Sequence, residues 1–348
     1  MLQRLLACLT IFSVPFLFTA CSTTHYLYQA AKGQLELTTK AVPLIERIEN
    51  PSTPPFQKKL LREISQIKSF GESQGLKATP NYEKFVQLDR PYVVWVVAAS
   101  KPLEFKAKVW NFLLVGSFNY LGWFSEEDAV RFAKEIKSDE ELDVYVRGAS
   151  AYSTLGWFND PILSTMISED EDALVDLVNT VLHESVHATF FIKNQSYFNE
   201  SLASFVADEL TPIYLSDFFN QNPKIKKKYL EDLIKNKNYA EEFKKTYFEL
   251  DSLYKSDLSD SDKLSRKEIL FESLNQKLKI KRKLNNAFLI QYRTYGVGRE
   301  DFEKLFQSCE HSIQRFLKKV MLLNGGSFER SNQDDFSQVI EKLNLGGC

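Results

Sequence analysis

The amino-acid sequence predicts an α+β fold, with a small mixed β-sheet in the N-terminal half and a mostly helical C-terminal half. Three short runs of β-branched and aromatic residues, typical of strands, lie between residues 92 and 147. Beyond residue 211 the chain is rich in Lys and Glu and almost free of Gly and Pro until Gly296, which favours long amphipathic helices. A composition of 44% hydrophobic and 13% aromatic residues excludes a wholly disordered chain.

The charge balance argues against nucleic acid as a partner. The 348-residue chain has 44 basic and 46 acidic residues and a formal net charge of −2, so it has no strong overall field. Its length allows two domains. After an N-terminal leader over residues 1–20, we divide the chain into an α+β part over 21–167 and a helical part over 168–348.

The leader has the pattern of a secretory signal peptide. One early charge, Arg4, precedes an uncharged apolar run that ends at Ala20. This run is too short to span a bilayer, which takes about 20 residues. The next residue, Cys21, completes a resemblance to a lipobox, in which the Cys thiol is acylated and becomes the new N-terminus, although Phe18 replaces the usual Leu, Val or Ile. Cleavage without lipid and a retained anchor are the alternatives.

Acylation of Cys21 would tether the chain to a membrane of the cell envelope, facing the periplasm or the exterior. Ser22 in the next position resembles lipoproteins of an outer membrane, if the cell has one. With the leader removed, Cys309 and Cys348 would be the only free thiols, and they either pair with each other or remain unpaired.

Local patterns predict the elements of the N-terminal half. Ser125 has Asp128 three positions later, which is typical of a helix cap. The predicted elements are a helix over residues 55–75, strands over 92–99 and 109–115, a helix over 125–136 and a strand over 142–147.

In the C-terminal half, charged sequences with helical spacing of apolar residues predict long helices, separated by an exposed turn near residues 255–265. The predicted helices cover residues 223–254, 262–282, 285–295 and 300–322.

His183 begins the pentapeptide His-Glu-Ser-Val-His, which contains half of the four histidines of the chain. An apolar stripe upstream predicts that it lies on a helix with Ser168 or Asp170 as the N-cap. One turn apart, His183 and His187 would project from one face and can share a tetrahedral Zn²⁺. Glu184, about 100° around the helix, would act as a base on a zinc-bound water rather than as a ligand.

The third zinc ligand is predicted to be Glu200, 13 positions after His187. The turn composition of residues 193–196 separates the first helix from a second that would begin near Phe198. Two antiparallel helices with a short loop place the first turn of the second near the last turns of the first. Glu209 is the alternative ligand, and Glu200 as a carboxylate favoured by the helix N-terminus is the alternative without a metal.

The predicted strand over residues 142–147 is a candidate for holding an extended peptide substrate by main-chain pairing. Residues 151–161, which mix aromatic and polar side chains with Gly and Pro, either line a cleft or form a packed loop.

The sequence resembles a bacterial lipoprotein family described as zinc aminopeptidases, which are metallopeptidases of the gluzincin type. The resemblance implies that His183, His187 and Glu200 bind zinc and that Glu184 is the base. Ser-Val stands here between Glu184 and His187 where many relatives have Leu-Ala, a change that keeps the spacing. The matching blocks, in the family's order, are Tyr26, residues 29–34 and 92–95, Gly116, Tyr120, and residues 122–124, 151–161, 183–187, 198–200, 284–287 and 294–295.

The expected activity is zinc-dependent hydrolysis of peptide bonds in peptide or protein substrates. Tyr152 and Tyr295 lie in matching blocks and are candidate donors to the oxyanion. An aminopeptidase needs a carboxylate for the substrate's free ammonium group, and no motif identifies one. The alternatives are an envelope endopeptidase and an envelope lipoprotein without catalytic activity.

Replacing Cys21 by Ala should abolish lipid attachment, because Cys21 is the thiol at the predicted cleavage point. In cells given a radiolabelled fatty acid, the wild-type protein should incorporate label and Cys21→Ala should not. Cys8→Ala, which removes a thiol inside the leader, is the matched control and should keep the label. Label on the Cys21→Ala protein would contradict the prediction.

Overall fold

The computed structural model describes residues 24–112, 116–154 and 158–348. The predicted leader and Cys21 lie outside the described residues. None of the helices in the described ranges is long and apolar enough to cross a membrane.

Helices predominate throughout the described chain. They are α1 (residues 24–40), α2 (Leu44–Glu49), α3 (Pro55–Ser73), α4 (Glu126–Asp139), α5 (Ala173–Thr189), α6 (Ser196–Tyr214), α7 (Ser216–Gln221), α8 (Pro223–Tyr254), α9 (Asp260–Leu278), α10 (Asn286–Thr294), α11 (Arg299–Ser308), α12 (Ile313–Val320) and α13 (Ser337–Leu345). The strands are β1 (Val42–Pro43), β2 (Lys84–Val86), β3 (Val94–Ser100), β4 (Trp110–Phe112), β5 (Gly116–Phe118), β6 (Tyr120–Trp123), β7 (Asp143–Ala149) and β8 (Ile162–Leu163).

The strands form three small sheets in the N-terminal half, which confirms the predicted α+β class. One sheet is antiparallel with the order β6-β3-β7, and β4 and β5 form a hairpin. The third has the order β1-β2-β8 and is mixed, because β2 is antiparallel to β1 and parallel to β8.

The central strand β3 is buried along its whole length, since helices cover both of its faces. Val97 packs in a cluster with Ala133 of α4, whereas Val96 belongs to the main core together with Ile290 of α10. A strand that is buried on both faces reads as a continuous hydrophobic run, which is why residues 92–99 were recognisable from the sequence.

The helix pair α5 and α6 lies in the main core and packs together closely. Ala203 and Ala207 are small, buried, and three and seven positions after Glu200, so they share its face of α6 and allow the close approach. The link between the two helices is fixed by Asn199, whose side chain accepts a hydrogen bond from the Ile192 amide (2.9 Å) and donates one to the Ile192 carbonyl (2.8 Å). Asn194 turns the chain in the left-handed region, with φ of 63°.

The start of α6 is also braced by a C-terminal segment. The Gln195 side chain donates to the Arg330 carbonyl (2.7 Å) and accepts from the Gln333 amide (3.0 Å). Asn332 accepts from the Ser196 amide through its side chain (3.0 Å). The orientation of α6 therefore depends on residues more than 130 positions away in the sequence.

Three helix boundaries differ from the prediction. α9 ends at Leu278 rather than at residue 282, since Lys279 has φ of 54°. α5 begins after Asp172 rather than at a side-chain cap formed by Ser168 or Asp170. The single helix predicted over residues 300–322 is wrong, because Glu310 and His311 have φ of 57° and 55°. Two consecutive residues in the left-handed region cannot continue an α-helix, so α11 ends and α12 starts anew.

Cys309, which follows α11, forms a disulfide with Cys348 at the end of the chain. The bond closes a loop with a sequence separation of 39 that includes α12 and α13. Of the two alternatives open from the sequence, the structure has the paired form.

Cys348→Ser should lower the free energy of unfolding by about 2–4 kcal/mol, because a closed loop of this length restricts the unfolded chain. Urea denaturation of the two oxidised proteins measures the difference. Adding a reductant should destabilise the wild-type protein by a similar amount and leave Cys348→Ser unchanged. Equal stability of the two oxidised proteins would contradict a stabilising bond.

Candidate metal centre

The structure brings together the three predicted metal ligands. His183 and His187 lie one turn apart on α5, with ring centres 4.9 Å apart, and Glu200 lies in the second turn of α6. Glu200 Oε2 is 3.4 Å from His183 Nε2 and 3.5 Å from His187 Nε2. One ligand atom from each residue lies within 4.8 Å of the others.

This donor set fits zinc at a catalytic site. Two imidazoles and one carboxylate leave the fourth position of a tetrahedral ion open, as catalytic zinc sites do. Ligand atoms about 2.0–2.1 Å from a tetrahedral ion are about 3.3–3.4 Å from one another, close to the two separations of Glu200 from the imidazoles. Both contacts are also longer than an ordinary N–H···O hydrogen bond, which is about 2.9–3.0 Å.

Glu184 lies beside this cluster and has a different environment from Glu200. Its Oε2 atom is buried and has no hydrogen-bond partner among the described residues. Burial raises the pKa of Glu184 to about 7; His183 opposes the shift, and the charges of Glu200 and Asp160 add to it. A carboxylate with a pKa in this range can both accept and donate a proton near neutral pH.

Burial by itself would also raise the pKa of Glu200. The charges and close polar contacts of His187 and His183 outweigh it and hold the pKa well below its ordinary value. Glu200 therefore stays ionised, as a metal ligand must.

Tyr120, which precedes the predicted ligand by 80 positions, completes the surroundings of Glu200. Its hydroxyl donates to Glu200 Oε1 at 3.2 Å. Burial raises the pKa of the Tyr120 hydroxyl well above its usual value, and the charge of Glu200 acts in the same direction. The hydroxyl thus remains a proton donor.

The two predicted oxyanion donors lie in different places. The ring of Tyr295, just after α10, is 6.3 Å from the His183 ring, and its hydroxyl accepts a hydrogen bond from Arg147 at 2.9 Å. Tyr152 packs edge to face against Phe124 at 5.4 Å. Burial raises the pKa of Tyr152 to about 12, with a contribution from the charge of Asp160.

Sequence reasoning missed the positions of Tyr120 and Arg147 at the site. The register of the sheet explains why they meet: Tyr120 pairs with Ala98 of β3, and Arg147 pairs with Val96. Directly paired residues, and residues two apart on one strand, lie on the same face of a sheet. Tyr120 is one of the residues that match the family, and this match was the one indication in the sequence that it could belong to the site.

Glu209, the alternative ligand, lies elsewhere on α6. Its carboxylate is 4.0 Å from the Arg299 guanidinium. The carboxylate that joins the two histidines in the described candidate metal group is that of Glu200, not that of Glu209.

Comparison with known proteins agrees with the geometry. A family model described as "putative aminopeptidase" matches residues 25–334. The chain belongs to this family. The family description indicates peptidase activity, and the His183–His187–Glu200 cluster is compatible with metal binding.

One curated protein is similar to part of the chain. The "Uncharacterized protein YjgL" of Escherichia coli (strain K12) is 38% identical over 99 residues, which is 28% of this chain and 14% of that protein. The chain therefore covers only about one-seventh of this relative's length. No solved structure matches the chain.

Glu200→Gln should weaken zinc binding by more than about 100-fold, because changes in residues that only support a ligand already cost 10–100-fold. Competition with a chromophoric chelator measures the affinity. Glu209→Gln, on the same helix, is the matched control and should bind zinc as the wild type does. The same loss in both variants would show that Glu200 has no special role.

Proposed function

We propose that the protein is a zinc-dependent metallopeptidase, and specifically an aminopeptidase anchored to the cell envelope through a lipid on Cys21. The observation that supports this most strongly is the placement of Glu184, a buried carboxylate with a raised pKa, next to the convergent His183, His187 and Glu200. A metal site that serves structure alone has no use for such a base. The family description supports the aminopeptidase assignment.

In this proposal His183, His187 and Glu200 hold the zinc ion. When bound, zinc acts as a Lewis acid that polarises a carbonyl group and lowers the pKa of water towards about 7.

Glu184 moves the proton in the reaction. Its carboxylate accepts a proton from the attacking water while the water oxygen bonds to the carbonyl carbon of the substrate. The carbon–nitrogen bond then breaks, and Glu184 delivers the proton to the nitrogen of the leaving amine. The burial of Glu184 raises its pKa, which favours the protonated form that the second transfer requires.

Tyr295 is the donor that the geometry favours for the oxyanion. Burial raises the pKa of its hydroxyl well above the usual value, with a contribution from the charge of Glu200, so the hydroxyl keeps its proton. Arg147 donates to the hydroxyl oxygen and leaves the O–H free to point towards substrate. Tyr152, the other predicted donor, packs against Phe124.

Location in the cell envelope is supported by the leader pattern and by the Cys309–Cys348 disulfide. Disulfides persist in oxidising spaces such as the periplasm and the exterior.

Glu184→Gln should keep zinc bound and lower kcat/KM for peptide hydrolysis by about 10²–10⁴-fold, the usual contribution of a general base. Metal analysis and a fluorogenic peptide assay measure the two properties on the same sample, with Glu209→Gln as the control. A Glu184→Gln protein that cleaves peptides normally would exclude this mechanism.

Cleavage of an N-acetylated peptide as fast as its free-amine twin would exclude the aminopeptidase assignment and favour an endopeptidase.

A further inference from the structure

Arg147 is a partly buried cation beside the candidate metal centre. The charge of Glu200 favours its ionised form from a distance, but Arg147 forms no ion pair with the described residues. Among the described residues no carboxylate lies within ion-pair distance of it, and the undescribed stretches, residues 1–23, 113–115 and 155–157, contain no Asp or Glu. Its described hydrogen bonds are to the Tyr295 hydroxyl (2.9 Å) and to the Gly148 carbonyl (3.5 Å).

Each of the other described arginines forms an ion pair, donates several hydrogen bonds to side chains, or is exposed to solvent. Arg47, which is also partly buried and without an ion pair, makes three hydrogen bonds to two Gln side chains. Six arginines form ion pairs, namely Arg90, Arg131, Arg293, Arg299, Arg315 and Arg330. The exposed ones are Arg62, Arg266 and Arg282. A charge removed from water without a partner is unfavourable, so Arg147 needs an explanation.

The unused donors of Arg147 remain available. None of its nitrogen atoms is among the buried atoms without a hydrogen-bond partner, so the N–H groups that have no protein acceptor face accessible space. A guanidinium presents a planar fork that binds a carboxylate through two parallel hydrogen bonds.

The position of Arg147 places such a carboxylate close to the bond that would be cleaved. Its guanidinium carbon is 5.6 Å from the centre of the Tyr295 ring, which is 6.3 Å from the His183 ring. An extended peptide advances about 3.3–3.6 Å per residue, so the carboxylate would belong to a residue within about three positions of that bond.

The carboxylates near the cluster, among the described residues, already have contacts or a proposed role. Glu200 faces the two imidazoles, and Glu184 has the base position. Asp160 is 3% exposed and accepts hydrogen bonds from the Thr154 amide and hydroxyl and from the Ser153 hydroxyl. Arg147 is therefore the charged group near the cluster that has neither an ion-pair partner among the described residues nor a role in the proposed hydrolysis.

We infer that Arg147 binds a carboxylate of the peptide substrate, so that the site prefers short or acidic peptides. This inference rests on the proposed peptidase function. The carboxylate is either the C-terminus of a short peptide or the side chain of an Asp or Glu residue, since the guanidinium recognises the same group in both.

Binding to the zinc-loaded Glu184→Gln protein tests this without hydrolysis. Calorimetry measures the affinity for three peptides. Trialanine has a C-terminal carboxylate, Ala-Ala-Glu amide has a side-chain carboxylate, and trialanine amide has neither. We expect trialanine, Ala-Ala-Glu amide or both to bind about 10–100-fold more tightly than trialanine amide, as charge-assisted hydrogen bonds allow. Tight binding of trialanine alone identifies the C-terminal carboxylate, and tight binding of the Glu peptide identifies the side chain.

Variants of Arg147 in the same background assign the preference to this residue. Adding Arg147→Gln should bring the affinity ratio of carboxylate to amide peptide towards one, and Arg147→Lys should keep part of it because the charge remains. Arg62→Gln, an exposed arginine on α3, is the matched control and should keep the full ratio.

Three results would overturn the inference: equal binding of the three peptides, no binding at millimolar concentration, or a uniform loss for all three in Arg147→Gln. The uniform loss would instead make Arg147 a positioning residue for Tyr295. Failure of the proposed function is distinguishable, because a wild-type protein that cleaves no peptide contradicts hydrolysis even if the carboxylate preference in binding is present.

Discussion

The close packing of α5 against α6 is the constraint on which the rest of the site depends. The two imidazoles lie on one face of α5. The carboxylate of Glu200 can approach them only because α6 begins close to the last turns of α5. Small residues on the Glu200 face of α6, Ala203 and Ala207, allow that approach, and the Asn199 side chain fixes the link by bonding both backbone groups of Ile192. Glu200, one residue further along α6, is thereby placed by backbone geometry rather than by its own flexible side chain.

Two buried carboxylates with opposite pKa shifts follow from this arrangement. Burial acts on both and disfavours the ionised form. Glu200 faces two imidazoles that favour its charge, whereas at Glu184 burial outweighs the opposing effect of His183, and the charges of Glu200 and Asp160 add to the effect of burial. Environment, not residue type, distinguishes the proposed ligand Glu200 from the proposed base Glu184.

The sequence was sufficient where the structure depends on local spacing. His183, Glu184 and His187 are related by one helical turn, and Glu200 follows across a short loop, so periodicity and turn composition predicted that the two histidines and Glu200 would meet. Tyr120 and Arg147 reach the site through the register of β6 and β7 on β3, which no local pattern specifies. The break between α11 and α12 was missed for a related reason. The amphipathic pattern continues across Glu310 and His311, and the helix is interrupted only by the positive φ angles of these two residues.

The Cys309–Cys348 bond turns the end of the chain into a covalent ring, and this ring contains Arg330, Asn332 and Gln333, the residues that brace the start of α6. A single cut by a foreign protease anywhere inside the ring would leave both fragments joined. The brace one turn before Glu200 would then stay attached to the molecule, a form of damage tolerance that suits the cell-envelope location proposed above.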